Sequence, residues 1–235
     1  MWYIRKGIRG SNPLVSAKRT KYRIDPVTNI GMETTHIIFD LGNVVLTNDW
    51  HYDCPEKFEA YASLFDITYD EMERGWNATW PLFRIGKISE EEFWDKFLRA
   101  AGAKVIDINK AKELWREYQQ PIETMLGLLQ KLKHFYHLSA ITTISKEWLT
   151  YKTDKYQLDK LFDVIISSGN SGLVKPDPAI YKLLFDALKV SPVNCLFIDD
   201  NADCLIPAKN MGMQVLQFNS QGKLEEQLCE LGIRF

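Results

Sequence analysis

Five short apolar runs, two of them ending in aspartate, limit what this chain can fold into. They occupy residues 36–40 (HIIFD), 138–142 (LSAIT), 162–168 (FDVIISS), 195–200 (CLFIDD) and 213–217. Runs of this length with apolar centres read as strands buried on both faces, the kind found in parallel sheets sandwiched by helices. Helical patterns separate the later runs. Met125, Leu129 and Leu132 share one stripe, and Ile180, Leu183, Leu184, Ala187 and Leu188 share another. A shorter helix follows the fourth run, where Pro207 predicts a kink or an early break and Gly212 a stop. Alternating strand and helix predicts the α/β class, with a Rossmann-like three-layer α/β/α core around a parallel sheet.

Residues from about 50 to 120 break this alternation. The stretch reads as all-helical: Thr68–Glu71 and Ser89–Glu92 match capping boxes, and Phe93, Phe97 and Leu98 follow at helical spacing. The expected organisation is a core of residues 32–48 and 121–235, a helical cap of residues 49–120 inserted after the first strand, and a basic extension of residues 1–31. That extension carries Arg5, Lys6, Arg9, Lys18, Arg19, Lys21 and Arg23 against Asp25 alone. It reads as a disordered tail or a start placed before the native one, with a targeting segment as the alternative.

A net charge of −2 offers no field for nucleic acid or an anionic membrane. No apolar run approaches the roughly 20 residues that span a bilayer. Cys54, Cys195, Cys204 and Cys229 form no C-x-x-C pair, which suits a reducing, cytoplasmic compartment, and Cys195 reads as a small buried hydrophobe. The expected partner is a small substrate, and the expected state a monomer or weak homodimer.

Chemistry concentrates at the carboxyl ends of the proposed strands, where open α/β sheets bind ligands. Asp40 ends the first, Thr142 the second, and Asp199 with Asp200 the fourth; Lys175 lies in the loop after the third. Three carboxylates at one edge repel each other in a low dielectric, and a hard divalent cation with oxygen ligands relieves that repulsion. Mg²⁺ suits such a site. Lys175 sits in G-L-V-K-P-D-P, with Asp177 as a helix N-cap and Pro178 as its first residue, so its ammonium rides on a stiff loop. Thr142, followed by Thr143 and a helix starting near Ser145, offers a hydroxyl and free backbone N–H groups to a phosphate oxygen. Each feature has a plainer reading as a cap, a turn or a surface lysine.

F-D-L-G-N-V-V at 39–45, A-I-T at 140–142, G-L-V-K-P-D-P at 172–178 and F-I-D-D-N-A-D at 197–203 resemble the four ordered motifs of the haloacid dehalogenase-like (HAD) superfamily. The helical insertion resembles that family's C1 cap. The D-L-G-N-V form is similar to a subgroup with sugar-phosphate phosphatases and the N-terminal domains of soluble epoxide hydrolases. The resemblance implies a Mg²⁺-dependent phosphatase of a small phosphorylated metabolite. Asp40 is then the nucleophile that forms an aspartyl-phosphate; Thr142 and Lys175 hold its oxygens; Gly42, Asn43 and Thr143 complete the phosphate-binding set. The metal takes Asp40, the Gly42 carbonyl, Asp199 and Asp200.

The pattern departs at Gly42, where family phosphatases carry a second aspartate that protonates the leaving group. Asp49 is a candidate stand-in. Two rivals follow: a haloacid dehalogenase-type hydrolase, which the Asp199–Asp200 pair opposes, and a weakly active HAD-fold binding or regulatory protein. In the insertion, Trp76, Trp80, Phe83 and Arg84 read either as a group that stacks on and binds a polar substrate such as a sugar phosphate, or as cap core (Trp76, Trp80 and Phe83) with Arg84 facing solvent, the solvent-facing reading of Arg84 being preferred. Trp148 is expected to pack its helix on the sheet. His36, His51, His134 and His137 receive no role.

Overall fold

The computed structural model describes residues 33–47 and 55–235. The basic extension, Asp49, His51 and Cys54 lie outside the described residues. Five parallel strands form one sheet: β1 (His36–Phe39), β2 (His137–Thr142), β3 (Val164–Ser167), β4 (Cys195–Asp199) and β5 (Gln214–Gln217), in the order β3-β2-β1-β4-β5. The third run yields a shorter strand than the sequence suggests. Phe162 donates its N–H to Leu158 and so closes the preceding turn, α7 (Leu158–Leu161), while Ser168 already opens the short helix α8 (Ser168–Ser171).

Each face of the sheet carries its own core. Ile37, Phe39, Leu138, Ala140, Leu196 and Ile198 join Met125, Leu129 and Leu132 of α5 (Glu123–Leu132) and Leu224 and Leu228 of α11 (Gln221–Glu230). Ile38, Ile141 and Phe197 turn the other way, onto α9 (Pro178–Leu188) and α10 (Ala202–Asn210). Strict alternation along the strands therefore produces the three layers. Each fully buried Leu or Ile stabilises this arrangement by about 1.5–3 kcal/mol.

Two helical expectations need correction. On α9 the buried residues are Ile180, Tyr181 and Leu184, while Leu183 and Ala187 are exposed. The buried phenol of Tyr181 displaces the predicted stripe by about one position, because its hydroxyl reaches the Cys204 carbonyl at 2.6 Å. And α10 does not break at Pro207: it continues to Asn210, where Met211 bonds back to the Pro207 and Ala208 carbonyls. One forfeited donor is tolerated there because the helix packs Cys204, Leu205 and Ala208 into the core.

Between β1 and α5 lie four helices, α1 (Pro55–Phe65), α2 (Tyr69–Phe83), α3 (Glu90–Ala101) and α4 (Ile108–Glu117). Both capping boxes close. Glu71 reaches back to the Thr68 N–H at 2.8 Å and Glu92 to the Ser89 N–H at 2.8 Å. Helices α2 and α3 touch at Gly75, where an added Cβ would stand 2.7 Å from the Phe97 carbonyl oxygen.

Trp148, on α6 (Lys146–Tyr156), does not follow its expectation. Its indole enters the cap and stacks on Trp115 at 4.1 Å between ring centres, with Phe83 at 4.9 Å and Trp80 at 5.6 Å. Its N–H donates to the buried Glu90 carboxylate at 3.0 Å. An amphipathic aromatic with a satisfied N–H thus couples core to cap. His36 and His137 also share an environment that sequence spacing could not show. Paired across β1 and β2, their rings stack at 4.9 Å, and His137 Nδ1 lies 2.8 Å from Asp163.

No helix of the described residues is long and apolar enough to cross a membrane.

Candidate active site

Strand order fixes where the site falls. The chain leaves β1 for β2 and β3 on one side, then returns to β4 on the other, so the direction of winding reverses between β1 and β4. The crevice beyond the carboxyl ends of those two strands is the binding position of such sheets. Asp40 follows β1 and Asp199 and Asp200 end β4. Asp40 donates its backbone N–H to Ile198 at 2.9 Å, which locks the two ends together.

Side chains converge there as the residue types require. Asp40, Asp199 and Asp200 each present a carboxylate oxygen, and these oxygens lie within 4.8 Å of one another. Lys175 Nζ stands 2.9 Å from Asp40 Oδ1 and 2.6 Å from Asp199 Oδ2. Asp199 has no exposed surface and Lys175 is buried. Backbone donors hold two of the carboxylates in place. The Leu41 N–H donates to Asp40 Oδ1 at 2.7 Å, and the Asn201 N–H donates to Asp199 Oδ1 at 2.8 Å. The Asn43 amide, assigned from sequence to phosphate binding, donates to Asp200 Oδ2 at 3.2 Å. Its backbone takes the left-handed conformation (φ 58°) that asparagine tolerates, which turns the amide toward that carboxylate.

Burial sets the electrostatics. It raises the Asp40 carboxyl above its ordinary range; Lys175 opposes this and Asp200 adds to it. Asp199 is pushed up to about 7 by burial and by the Asp40 charge, against the pull of Lys175. Burial disfavours the Lys175 ammonium, but Asp40 and Asp199 override it and hold the group above its ordinary value. Lys175 thus pairs with two of the three clustered carboxylates, and their mutual repulsion favours a further cation among them. Hard oxygen donors at this mutual spacing fit a divalent cation of the Mg²⁺ type.

A cavity of about 400 Å³ opens on this cluster. Thr142, buried at the end of β2, lines it with Thr143, Gly42 and Asn43. Asp40, Gly42, Asn43, Thr142, Thr143, Lys175, Asp199 and Asp200 therefore border one space, while the stand-in acid Asp49 lies outside the described residues. A Cβ added at Gly42 would meet nothing within 4 Å, so the place of the missing aspartate is open. Behind Thr143, Ser145 caps α6 by accepting from the Trp148 N–H at 3.2 Å, and Asp177 caps α9 by accepting from the Ala179 N–H at 2.9 Å. The peptide between Lys175 and Pro176 is cis.

The cap supplies another wall. Trp76, Trp80 and Arg84 line the same cavity, and Arg84 is half-buried there instead of facing solvent. The tryptophans belong to the cap core and also reach the cavity. They stack on each other at 4.7 Å and on Trp148 within the aromatic core, yet border the cavity. Sequence reasoning missed Lys152, Asn201 and Cys204, which also line it. Lys152 follows Trp148 by one helical turn and shares its face, a spacing that would have revealed it had Trp148 been aimed correctly. Burial pushes the Cys204 thiol up to about 12, so it stays protonated and unreactive.

A parallel sheet with an acidic cluster and a lysine at its reversal point, covered by a helical insertion, defines a hydrolase of Rossmann-like architecture. The chain belongs to the haloacid dehalogenase-like hydrolase family, whose model matches residues 37–218. Among similar proteins, drimenol cyclase drtB of Aspergillus calidoustus is 25% identical over 203 residues, 83% of this chain but only 36% of that protein. Flavin mononucleotide hydrolase 1 of Arabidopsis thaliana is 27% identical over 199 residues, 84% of this chain and 77% of that protein. The first of these is thus matched over about a third of its length. A HAD family enzyme of Bacteroides thetaiotaomicron, solved in complex with magnesium and inorganic phosphate, superposes with a TM-score of 0.68 at 20% identity, covering 81% of this chain and 98% of that one. At that identity the likeness speaks for the fold alone.

Proposed function

We propose that this hydrolase is a Mg²⁺-dependent phosphomonoesterase acting on a small phosphorylated metabolite through an aspartyl-phosphate on Asp40. The observation that carries the reading is the placement of Asp40 Oδ1 2.9 Å from Lys175, within 4.8 Å of carboxylate oxygens of both Asp199 and Asp200. A nucleophilic carboxylate, a fixed ammonium and two further acids for a cation form the set that phosphoryl transfer uses. The names of the relatives lend support, since one is a hydrolase of a phosphorylated flavin.

An Asp40 oxygen attacks phosphorus while the bond from phosphorus to the leaving oxygen breaks. Lys175 and Thr142 hold the equatorial oxygens, where transition-state charge spreads. Water then cleaves the acyl phosphate and returns Asp40. Asp40, Asp199 and Asp200, with the Gly42 carbonyl, would hold Mg²⁺, which would supply the positive charge that lets an anionic nucleophile approach an anionic ester. With glycine at position 42, no neighbouring aspartate protonates the leaving oxygen. The reading therefore favours esters whose alcohol leaves readily.

The test is hydrolysis of p-nitrophenyl phosphate with Mg²⁺ and with EDTA, beside chloroacetate. Mg²⁺-dependent turnover that disappears in Asp40→Asn supports the proposal. Metal-independent halide release, or no turnover of either compound, rejects it in favour of a dehalogenase or a binding protein.

A further inference from the structure

Arg84, like Lys152, is a cationic residue of this cavity to which the phosphatase reading gives no task. Lys175 is already committed to Asp40 and Asp199. The Nε of Arg84 is buried with no hydrogen-bond partner, and among the described residues no carboxylate pairs with its guanidinium. A guanidinium cannot shed its proton to escape burial, so a half-buried one without an acceptor is poised for an oxyanion that arrives from outside.

The residue is also held firmly. Ser168 donates its hydroxyl to the Arg84 carbonyl at 2.6 Å and accepts from the Ile144 N–H at 3.0 Å, two residues beyond Thr142. One serine thus ties the end of α2 to the loop that carries the phosphate-binding hydroxyls. Close by, an added Cβ on Gly86 would stand 2.6 Å from the Gly169 carbonyl oxygen, so the seam between cap and core admits no wider side chain. Trp76, Trp80 and Arg84, each four residues apart, form the α2 wall of the cavity, whereas Asp40, Thr142 and Lys175 come from the sheet edge. The α2 wall thus faces the same space as Asp40, where the alcohol portion of an ester on that nucleophile would extend.

We propose that Arg84 determines specificity by pairing with a second oxyanion, carboxylate or phosphate, on the leaving-group portion, so that the substrates are small phosphomonoesters with a second negative charge. This rests on the phosphatase reading. The decisive quantity is the ratio of kcat/KM between matched esters whose alcohol leaves readily: 4-carboxyphenyl phosphate over phenyl phosphate, and glucose 1,6-bisphosphate over glucose 1-phosphate, each followed at the aryl or anomeric phosphate. Hydrogen bonds to charged groups contribute about 1.5–3 kcal/mol, so wild-type protein should favour the doubly charged member of at least one pair by roughly 10- to 100-fold. The pair that responds identifies the oxyanion. Arg84→Gln should bring that ratio close to one, and Arg84→Lys, which keeps the charge but not the fork, should leave it in between. A wild-type ratio near one in both pairs overturns the inference, as does turnover of p-nitrophenyl phosphate with neither doubly charged ester hydrolysed, and as does a ratio that survives in Arg84→Gln whatever its absolute rates. Failure of wild-type protein to hydrolyse any phosphomonoester, p-nitrophenyl phosphate included, rejects the phosphatase reading itself and is told apart by that absence.

Discussion

Lys175 Nζ lies 2.6 Å from Oδ2 of Asp199, a carboxylate with no exposed surface. The pair sits at the centre of the site, and each partner is costly to bury alone. Removing one member of a buried ion pair typically costs about 3–5 kcal/mol. Lys175→Met should therefore lower thermal stability markedly in EDTA, by roughly 10 °C for a chain of this size. Mg²⁺ should recover part of that loss without restoring turnover. Differential scanning fluorimetry beside an activity assay checks both halves.

Cation binding should itself be visible as stability. A ligand at 100 times its dissociation constant stabilises the native state by about 2.7 kcal/mol, roughly 5–10 °C here. Asp200 accepts from Asn43 and belongs to the carboxylate cluster. Asp200→Asn should abolish most of the Mg²⁺-induced shift while leaving the metal-free melting point close to wild type. A full Mg²⁺ shift in Asp200→Asn would exclude that carboxylate from the cation site.

Gly42 offers a gain of function. Its open surroundings leave room for a carboxyl group. A positioned general acid is worth roughly 10²–10⁴-fold when the leaving group needs a proton. Gly42→Asp should accelerate turnover of alkyl phosphates by at least about tenfold and that of p-nitrophenyl phosphate much less. Equal effects on both classes would show that protonation of the leaving oxygen is not what this chain lacks.

At the opposite end of β1, His36 titrates below its ordinary value of 6.5, because burial and the nearby His137 disfavour its charge while Asp163 favours it. The folded state therefore binds fewer protons than the unfolded chain just below pH 6.5. The stability contributed by neutral His36 is present above that pH and is lost as pH falls through the window beneath it. Urea midpoints between pH 7.5 and 5.5 should decline more steeply in wild type than in His36→Phe; parallel profiles would contradict the assignment.

What was legible in the chain follows from how local each signal is. Strands β1, β2 and β4, both capping boxes and the Asp177–Pro178 helix start depend on neighbours a few residues apart. Sequence reading recovered each of them. The acidic cluster was readable because strand ends in a parallel sheet share one edge. Side-chain aim was not. Trp148 faces the cap because Glu90, distant in sequence, accepts its N–H. Tyr181 is buried because a carbonyl in α10 awaits its hydroxyl. Arg84 borders the cavity at the cap–core seam, where Ser168 donates to its backbone carbonyl. Each of these placements involves a partner that no periodicity reveals.

The central claim is that Asp40 takes the phosphoryl group. Without an aspartate at position 42 to activate water, the acyl phosphate should outlive its formation, so it should accumulate during turnover. Acid quenching of wild-type protein in the presence of Mg²⁺ and p-nitrophenyl phosphate, followed by peptide mass spectrometry, should find a hydroxylamine-sensitive phosphate on Asp40. The modification should be missing with EDTA and in Asp40→Asn. Turnover that proceeds with Asp40 unmodified, or that persists in Asp40→Asn, would contradict the account.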